Sequence, residues 1–206
     1  YRLSGEAKFP AAIQDAKAAV RFLRANASTY RINPEKIASW GASAGGNISA
    51  MLGTTGGVAE LEGAELGNAS LSSRVVAAVD WFGPIDFLTM DAEAQALGFT
   101  INTNASTSPE SKYVGTAVQS APALVASANP TSYISADDAA FFIQAGSADT
   151  NIPYTQSLNF SQALTAVKGS SNVSYELLTG AGHGTSEFGA STNIKKVIDF
   201  LDRFLK

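Results

Sequence analysis

The chain of 206 residues carries 45% hydrophobic and 16% charged side chains, enough to bury one sizeable core, and it reads as a single domain over 1–206. A net charge of −4 with no basic block argues against nucleic acid and anionic membrane surfaces as partners, and no apolar run approaches the roughly 20 residues needed to span a bilayer. Cysteine is absent and histidine occurs once, at position 183; this excludes thiol catalysis and disulfides and argues against an imidazole-ligated metal, and nothing in the sequence calls for a metal or organic cofactor.

In chain order, Ile13, Ala16, Val20 and Leu23 recur at helical spacing and predict an amphipathic helix over 10–29, with Pro10 at its first position. A turn at Asn33-Pro34-Glu35 precedes a short strand over 37–42, and 47–53 continues as helix. The apolar run 75–82 lacks polar alternation, as expected of a strand buried on both faces, and Gly83-Pro84 stops it. The Ser-, Thr-, Asn- and Ala-rich stretch over about 85–138 breaks the pattern and is expected to form short helices and loops, a cap or insertion over the site. Strands follow at 139–145 and 173–178, separated by a helix over 153–168 that Gly169 ends. The last helix carries one stripe, Ile194, Val197, Ile198, Leu201, Phe204 and Leu205. Strands alternating with helices predict an open, mostly parallel α/β sheet.

In such sheets reactive groups gather at the carboxyl ends of strands. Gly41-Ala42-Ser43-Ala44-Gly45-Gly46 sits between the first strand and a helix, the layout of a nucleophile elbow, in which small residues let a sharp turn lift the serine hydroxyl into the open. Asp149 follows a second strand and His183, between Gly182 and Gly184, a third. Ser43 as nucleophile, His183 as base and Asp149 as the acid that orients it form a chemically complete set in the order Ser, Asp, His. The Ala44 N–H at the helix start is the candidate oxyanion donor, and Ala42, Phe82, Gly83 and Ile152 fall near the expected site. Each residue has an ordinary alternative: a glycine-rich loop, a surface histidine, a turn aspartate ahead of Pro153. Asp86, which follows a strand end, competes with Asp149 for the acid role, whereas Asp80, Asp137 and Asp138 are expected to face the wrong end of the sheet.

Several segments resemble the BD-FAE group of α/β-hydrolases: the elbow through Asn47, Trp81-Phe82-Gly83-Pro84-Ile85-Asp86-Phe87, Ser108-Pro109-Glu110-Ser111-Lys112-Tyr113-Val114-Gly115, Asn129-Pro130-Thr131-Ser132-Tyr133-Ile134, and the run from Gly146 to Ser157. The resemblance covers nearly the whole chain. It implies an α/β-hydrolase fold and a carboxylesterase acting on short or aromatic acyl esters, carbohydrate- or phenol-linked. It also implies Ser43, Asp149 and His183 as the triad, with Asp149 preferred to Asp86. The family's upstream His-Gly-Gly segment, a further source of oxyanion donors, has no counterpart, so the chain is expected to correspond to the carboxyl-terminal two-thirds of such an enzyme, its first strands missing and the strand before Ser43 left as an exposed edge. A prolyl-oligopeptidase-like peptidase shares the triad, although no acidic anchor for a substrate amine is legible, and a non-catalytic binding module is the third reading. Six Asn-x-Ser sites, at Asn26, Asn47, Asn68, Asn104, Asn159 and Asn172, against about two by chance, point toward secretion, with the cytoplasm as alternative; Asn47 lies too close to the elbow for a glycan.

Overall fold

The computed structural model describes residues 1–206. Helices α1 (Ala11–Ala25) and α2 (Ala27–Tyr30) divide the single helix expected over 10–29. They part at Asn26, whose side-chain amide donates back to Phe22 O at 2.8 Å and competes with continuation of the helix. Strand β1 (Ala38–Ala42) runs into α3 (Ala44–Thr54), which starts directly after Ser43 rather than at 47. Next come α4 (Ala59–Glu62), a 3₁₀ turn at Ala64–Leu66 and β2 (Ala77–Trp81). The stretch after β2 holds α5 (Met90–Ala96), α6 (Pro109–Val114) and α7 (Pro122–Ser127), with 3₁₀ turns at Val118–Ser120 and Pro130–Tyr133. Then follow β3 (Ala140–Gly146), α8 (Tyr154–Lys168), β4 (Val173–Leu178), α9 (Ser186–Gly189) and α10 (Ser191–Leu205).

The four strands pair in the order β1-β2-β3-β4 and all are parallel, where the sequence predicted a mostly parallel sheet. β1 is paired on one side only, and its Trp40 is 39% exposed. Alternation along the central strands feeds two cores. Ala77, Val79, Ala140 and Phe142 pack on Val197, Phe200 and Leu201 of α10. Ala78, Phe141 and Ile143 join the larger core with Ile13 and Val20 of α1, Met51 of α3 and Phe160 of α8. The Val, Leu, Ile, Met and Phe side chains among these each contribute about 1.5–3 kcal/mol when fully buried. Ile198, expected in the α10 stripe, is 43% exposed: it directly follows Val197, and one step around a helix carries it off the covered face. Helix α3 lies so close to the sheet that a Cβ added at Gly53 would stand 2.3 Å from the Phe141 ring.

The segment between α3 and β2, which the sequence left unassigned, is held by buried charge. Lys17 and Arg21, one turn apart on α1, have side chains only 1% exposed. The Lys17 ammonium donates to Glu62 Oε1 at 2.7 Å and to Thr55 O at 2.5 Å. The Arg21 guanidinium reaches Glu62 O, Glu62 Oε2, Gly63 O and Gly67 O. Burial pulls the Lys17 ammonium down from its ordinary value, opposed by Glu62. Burial pushes the Glu62 carboxyl up, but hydrogen bonds from Lys17, Ser73 and Gly57 outweigh it and hold the carboxyl below its ordinary value. The donors are matched to acceptors one by one, which is the condition under which buried charge is tolerated.

Candidate active site

Ser43 sits at the carboxyl end of β1 with φ 55° and ψ −121°, a backbone conformation costing about 1–3 kcal/mol for a non-glycine residue. The surrounding bonds hold it there: Ser43 N donates to Trp81 O at 2.9 Å and Ser43 O accepts from Asn47 N at 3.1 Å. The glycines are required by close approach. A Cβ at Gly41 would stand 2.0 Å from Gly45 O, and one at Gly46 2.4 Å from Asp80 Oδ1. The turn closes only with hydrogen at both positions. Asn47 is buried and its Nδ2 donates to Pro84 O at 2.8 Å, which leaves no room for a glycan. Ala44 opens α3 with its N–H toward the cleft end and without an acceptor in the chain.

The single histidine lies within reach of that serine. His183 Nε2 stands 3.0 Å from Ser43 Oγ, and Nδ1 stands 2.8 Å from Asp149 Oδ2. A neutral imidazole satisfies both contacts by donating from Nδ1 to the carboxylate and accepting the serine proton at Nε2. The Asp149 side chain is 1% exposed, and its other oxygen accepts from Asn151 N at 2.8 Å and Ile152 N at 3.0 Å, so it serves the local turn and the imidazole together. The two loops are laced by Ala148 N to Ala181 O and Gly180 N to Ser147 Oγ, at a crossing where a Cβ on Gly146 would lie 2.3 Å from Ala181 O. Asp86 makes no contact with the imidazole; its Oδ1 caps Leu88 N, and its own N–H donates to Gln156 Oε1.

Three further residues brace the site, and the sequence singles out none of them in that role. Gln156 at the start of α8 accepts from Ile85 N and Asp86 N and donates to Glu93 Oε1, tying the loop after β2 to α5 and α8. Phe188 of α9 packs edge-on against Phe82 at 4.4 Å, and Phe82 in turn against the His183 ring at 4.8 Å. Phe82, expected on the pocket wall, therefore stands behind the imidazole, turned there by its own φ of 42°. Asp80 corrects a second expectation. It lies beneath the elbow rather than at the wrong end of the sheet, because alternation along β2 points it to the α3 side, where Oδ1 accepts from Gly83 N at 2.9 Å.

Asp80 is fully buried, its Oδ2 has no partner, and burial pushes its pKa up to about 7. The folded protein thus holds this proton more tightly than the unfolded chain. Stability therefore falls as pH rises from about 4 to 7, by about 1.4 kcal/mol per pH unit, and levels off above. Asp80→Asn is expected to remove that dependence. Melting temperatures measured from pH 4 to 8 should show the variant gaining on the parent as pH rises, and parallel curves would refute it.

A cleft of about 360 Å³ opens above the elbow, with Ser43, Ala44 and His183 at its floor. Ile152 lines it, with Met90 and Ile101. Glu110 also lines it, an acidic residue at the cleft where the sequence offered none. A smaller cavity of about 260 Å³ adjoins it and shares Ala44 and Glu110. The Ser108-Pro109-Glu110-Ser111 string is visible in the sequence, but nothing there places it on the same cleft as a serine 67 positions earlier.

An all-parallel sheet with helices on both faces and a serine lifted on a strand-to-helix elbow defines an α/β-hydrolase. Within that class the chain belongs to the BD-FAE family, whose model matches residues 1–164. It is 31% identical over 186 residues to esterase LipC of Mycobacterium tuberculosis, covering 89% of this chain and 43% of LipC. A bifunctional GH43-CE protein of Bacteroides eggerthii superposes with a TM-score of 0.86 at 38% identity, over 100% of this chain and 26% of that one. A truncated carbohydrate esterase from gut microbiota also gives 0.86, at 32% identity, over 98% of this chain and 71% of that one. The chain spans less than half the length of the curated relatives LipC and LipQ.

Proposed function

We propose that this chain carries the catalytic centre of a serine carboxylesterase acting on short-chain or aromatic acyl esters. The observation that carries the proposal is the continuous relay Ser43 Oγ–His183–Asp149, at 3.0 and 2.8 Å. His183 takes the hydroxyl proton as Ser43 Oγ attacks the ester carbonyl, and Asp149 stabilises the imidazolium. The tetrahedral intermediate collapses to an acyl-serine while His183 returns the proton to the departing alcohol, and a water repeats the cycle to release the acid. The Ala44 N–H donates to the oxyanion, a bond whose loss costs about 2.7–4 kcal/mol in related chemistry. As part of the same reading, a second donor comes from residues outside these 206, for which the free edge of β1 leaves room. The stretch after β2 acts as a cap, supported by Met90, Ile101 and Glu110 on the cleft wall.

The modest cleft suits a small acyl group, and the carbohydrate-esterase neighbours favour an alcohol drawn from a sugar. The test is covalent labelling with a fluorophosphonate, read by mass spectrometry. Stoichiometric modification of Ser43, accompanied by hydrolysis of p-nitrophenyl acetate, is the expected result. Labelling at any other serine would refute it, and an unreactive Ser43 would favour a non-catalytic binding module.

A further inference from the structure

We infer that Gln144 and Asn193 are positioning residues: their paired amides fix Phe188 and Phe82 against the His183 ring and so hold the imidazole in register between Ser43 and Asp149. The inference rests on the esterase reading for what that imidazole does, and goes beyond it in saying what keeps the ring in place. Alternation along β3 sends Ala140, Phe142 and Gln144 to the α10 side of the sheet. The first two are apolar and pack on α10, whereas the third is an amide with no exposed surface. Burying an amide costs free energy unless its donors and acceptor are matched, and here each is. Gln144 Nε2 donates to Asn193 Oδ1 at 2.6 Å and to Glu176 Oε2 at 2.9 Å, and Gln144 Oε1 accepts from Asn193 Nδ2 at 3.1 Å. Asn193, buried on the first turn of α10, directs its other amide proton to Phe188 O at 3.0 Å. The Glu176 carboxylate and the Phe188 carbonyl can only accept, which gives both amides a single orientation.

Gln144 reaches the histidine by two routes. Its main-chain oxygen accepts from Phe82 N at 2.7 Å, and its side chain, through Asn193, holds Phe188. Phe188 stands on α9, which with four residues is too short to keep its own shape. Between 184 and 190, the one hydrogen bond from another element's side chain is that of Asn193 to Phe188 O. The imidazole needs the support. Its contacts at Nε2 and Nδ1 fix two points of the ring and leave it free to tilt about the line that joins them. The loop adds little restraint, because Gly182 and Gly184 flank the histidine. Phe82 meets the ring at 4.8 Å and 67° and restrains that tilt. Neither amide lines the cleft that holds Ser43, so both act through the aromatic pair and not on the substrate. A buried polar network that is fully satisfied is rigid, which is what a wedge behind a catalytic base requires.

The experiment exploits the single histidine. With isotope-labelled imidazole nitrogens, the Nδ1 proton shared with Asp149 gives one NMR resonance that needs no sorting from others. The parent is compared with Asn193→Leu, with the double variant Gln144→Met/Asn193→Leu and with Phe188→Leu, each shown to be folded by circular dichroism and assayed well below its melting temperature. In all three the Nδ1 proton should exchange with water at least tenfold faster than in the parent. Turnover of p-nitrophenyl acetate, per Ser43 titrated with fluorophosphonate, should show kcat at least tenfold lower and KM within twofold. The imidazole serves acylation and deacylation alike, so both steps slow together and KM stays. A merely structural network would lower the melting temperature and leave both readouts alone. Either readout unchanged within twofold in folded Asn193→Leu overturns the inference. Where that variant does not fold, the double variant decides by the same criteria, since replacing both amides leaves neither facing an unmatched partner. An unaffected Phe188→Leu overturns it as well, because the amides would then have nothing to act through. If Ser43 of the parent does not label, the esterase reading fails separately, and the Nδ1 resonance alone decides the positioning.

Discussion

Replacing Ser43 by alanine is expected to lower kcat/KM for p-nitrophenyl acetate by roughly 10⁴–10⁶-fold and to abolish fluorophosphonate labelling. The size follows from the geometry. Ser43 Oγ is the only nucleophile bonded to His183 Nε2, so its loss leaves oxyanion stabilisation and substrate binding alone. His183→Ala should cost nearly as much, since these residues hold no second histidine to take the proton. Combining the two should add almost nothing, because residues that act as one unit share one transition-state effect. Asp149→Asn tests the orienting role. The introduced side chain can still accept from Asn151 N and Ile152 N through one oxygen, but it would present a donor or a weaker acceptor to Nδ1, favouring the wrong tautomer, at a cost of about 10⁴-fold. Additive losses in the double variant would contradict the relay.

The largest effect on stability is expected at Glu62. Glu62→Gln leaves the side chains of Lys17 and Arg21, each 1% exposed, without their shared counter-charge. Breaking a buried pair by removing one partner costs about 3–5 kcal/mol, which for a chain of this length is a fall in melting temperature of roughly 6–20 °C. Thermal unfolding followed by circular dichroism checks this. Lys17→Met should cost less, since Glu62 keeps Arg21 and Ser73. The pH dependence has a definite sign. Because the Glu62 carboxyl is held below its ordinary value of 4.5, its contribution is present above that pH and lost as pH falls through the depressed value. A Glu62→Gln variant melting within about 2–3 °C of the parent, about one kcal/mol, would show that the cluster is dispensable.

Periodicity locates the sheet because β2 and β3 are buried on both faces and leave long apolar runs, and β4 matches its expected bounds, Val173–Leu178. The elbow is legible for a different reason. Small residues at Gly41 and Gly46 are demanded by contacts of 2.0 and 2.4 Å, and such demands leave a local signature. The sequence misleads where a side chain's partner lies far along the chain. Phe82 reads as part of the pocket wall, but its own positive φ turns it behind the imidazole, where it packs on Phe188, more than 100 positions away. The pairing of α1 with Glu62 spans more than 40 positions and has no periodicity to betray it.

The sequence by itself determined the four strands and their alternation with helices, the existence of a strand-to-helix serine turn, and a histidine that no other imidazole could replace. These depend on backbone preference and on composition, which are local. Only the tertiary structure decided that Asp80 lies beneath the elbow, that Phe82 stands behind the imidazole, and that Lys17 and Arg21 meet Glu62. Each of those depends on where a side chain points after distant segments have packed, and direction is a property of the packed chain.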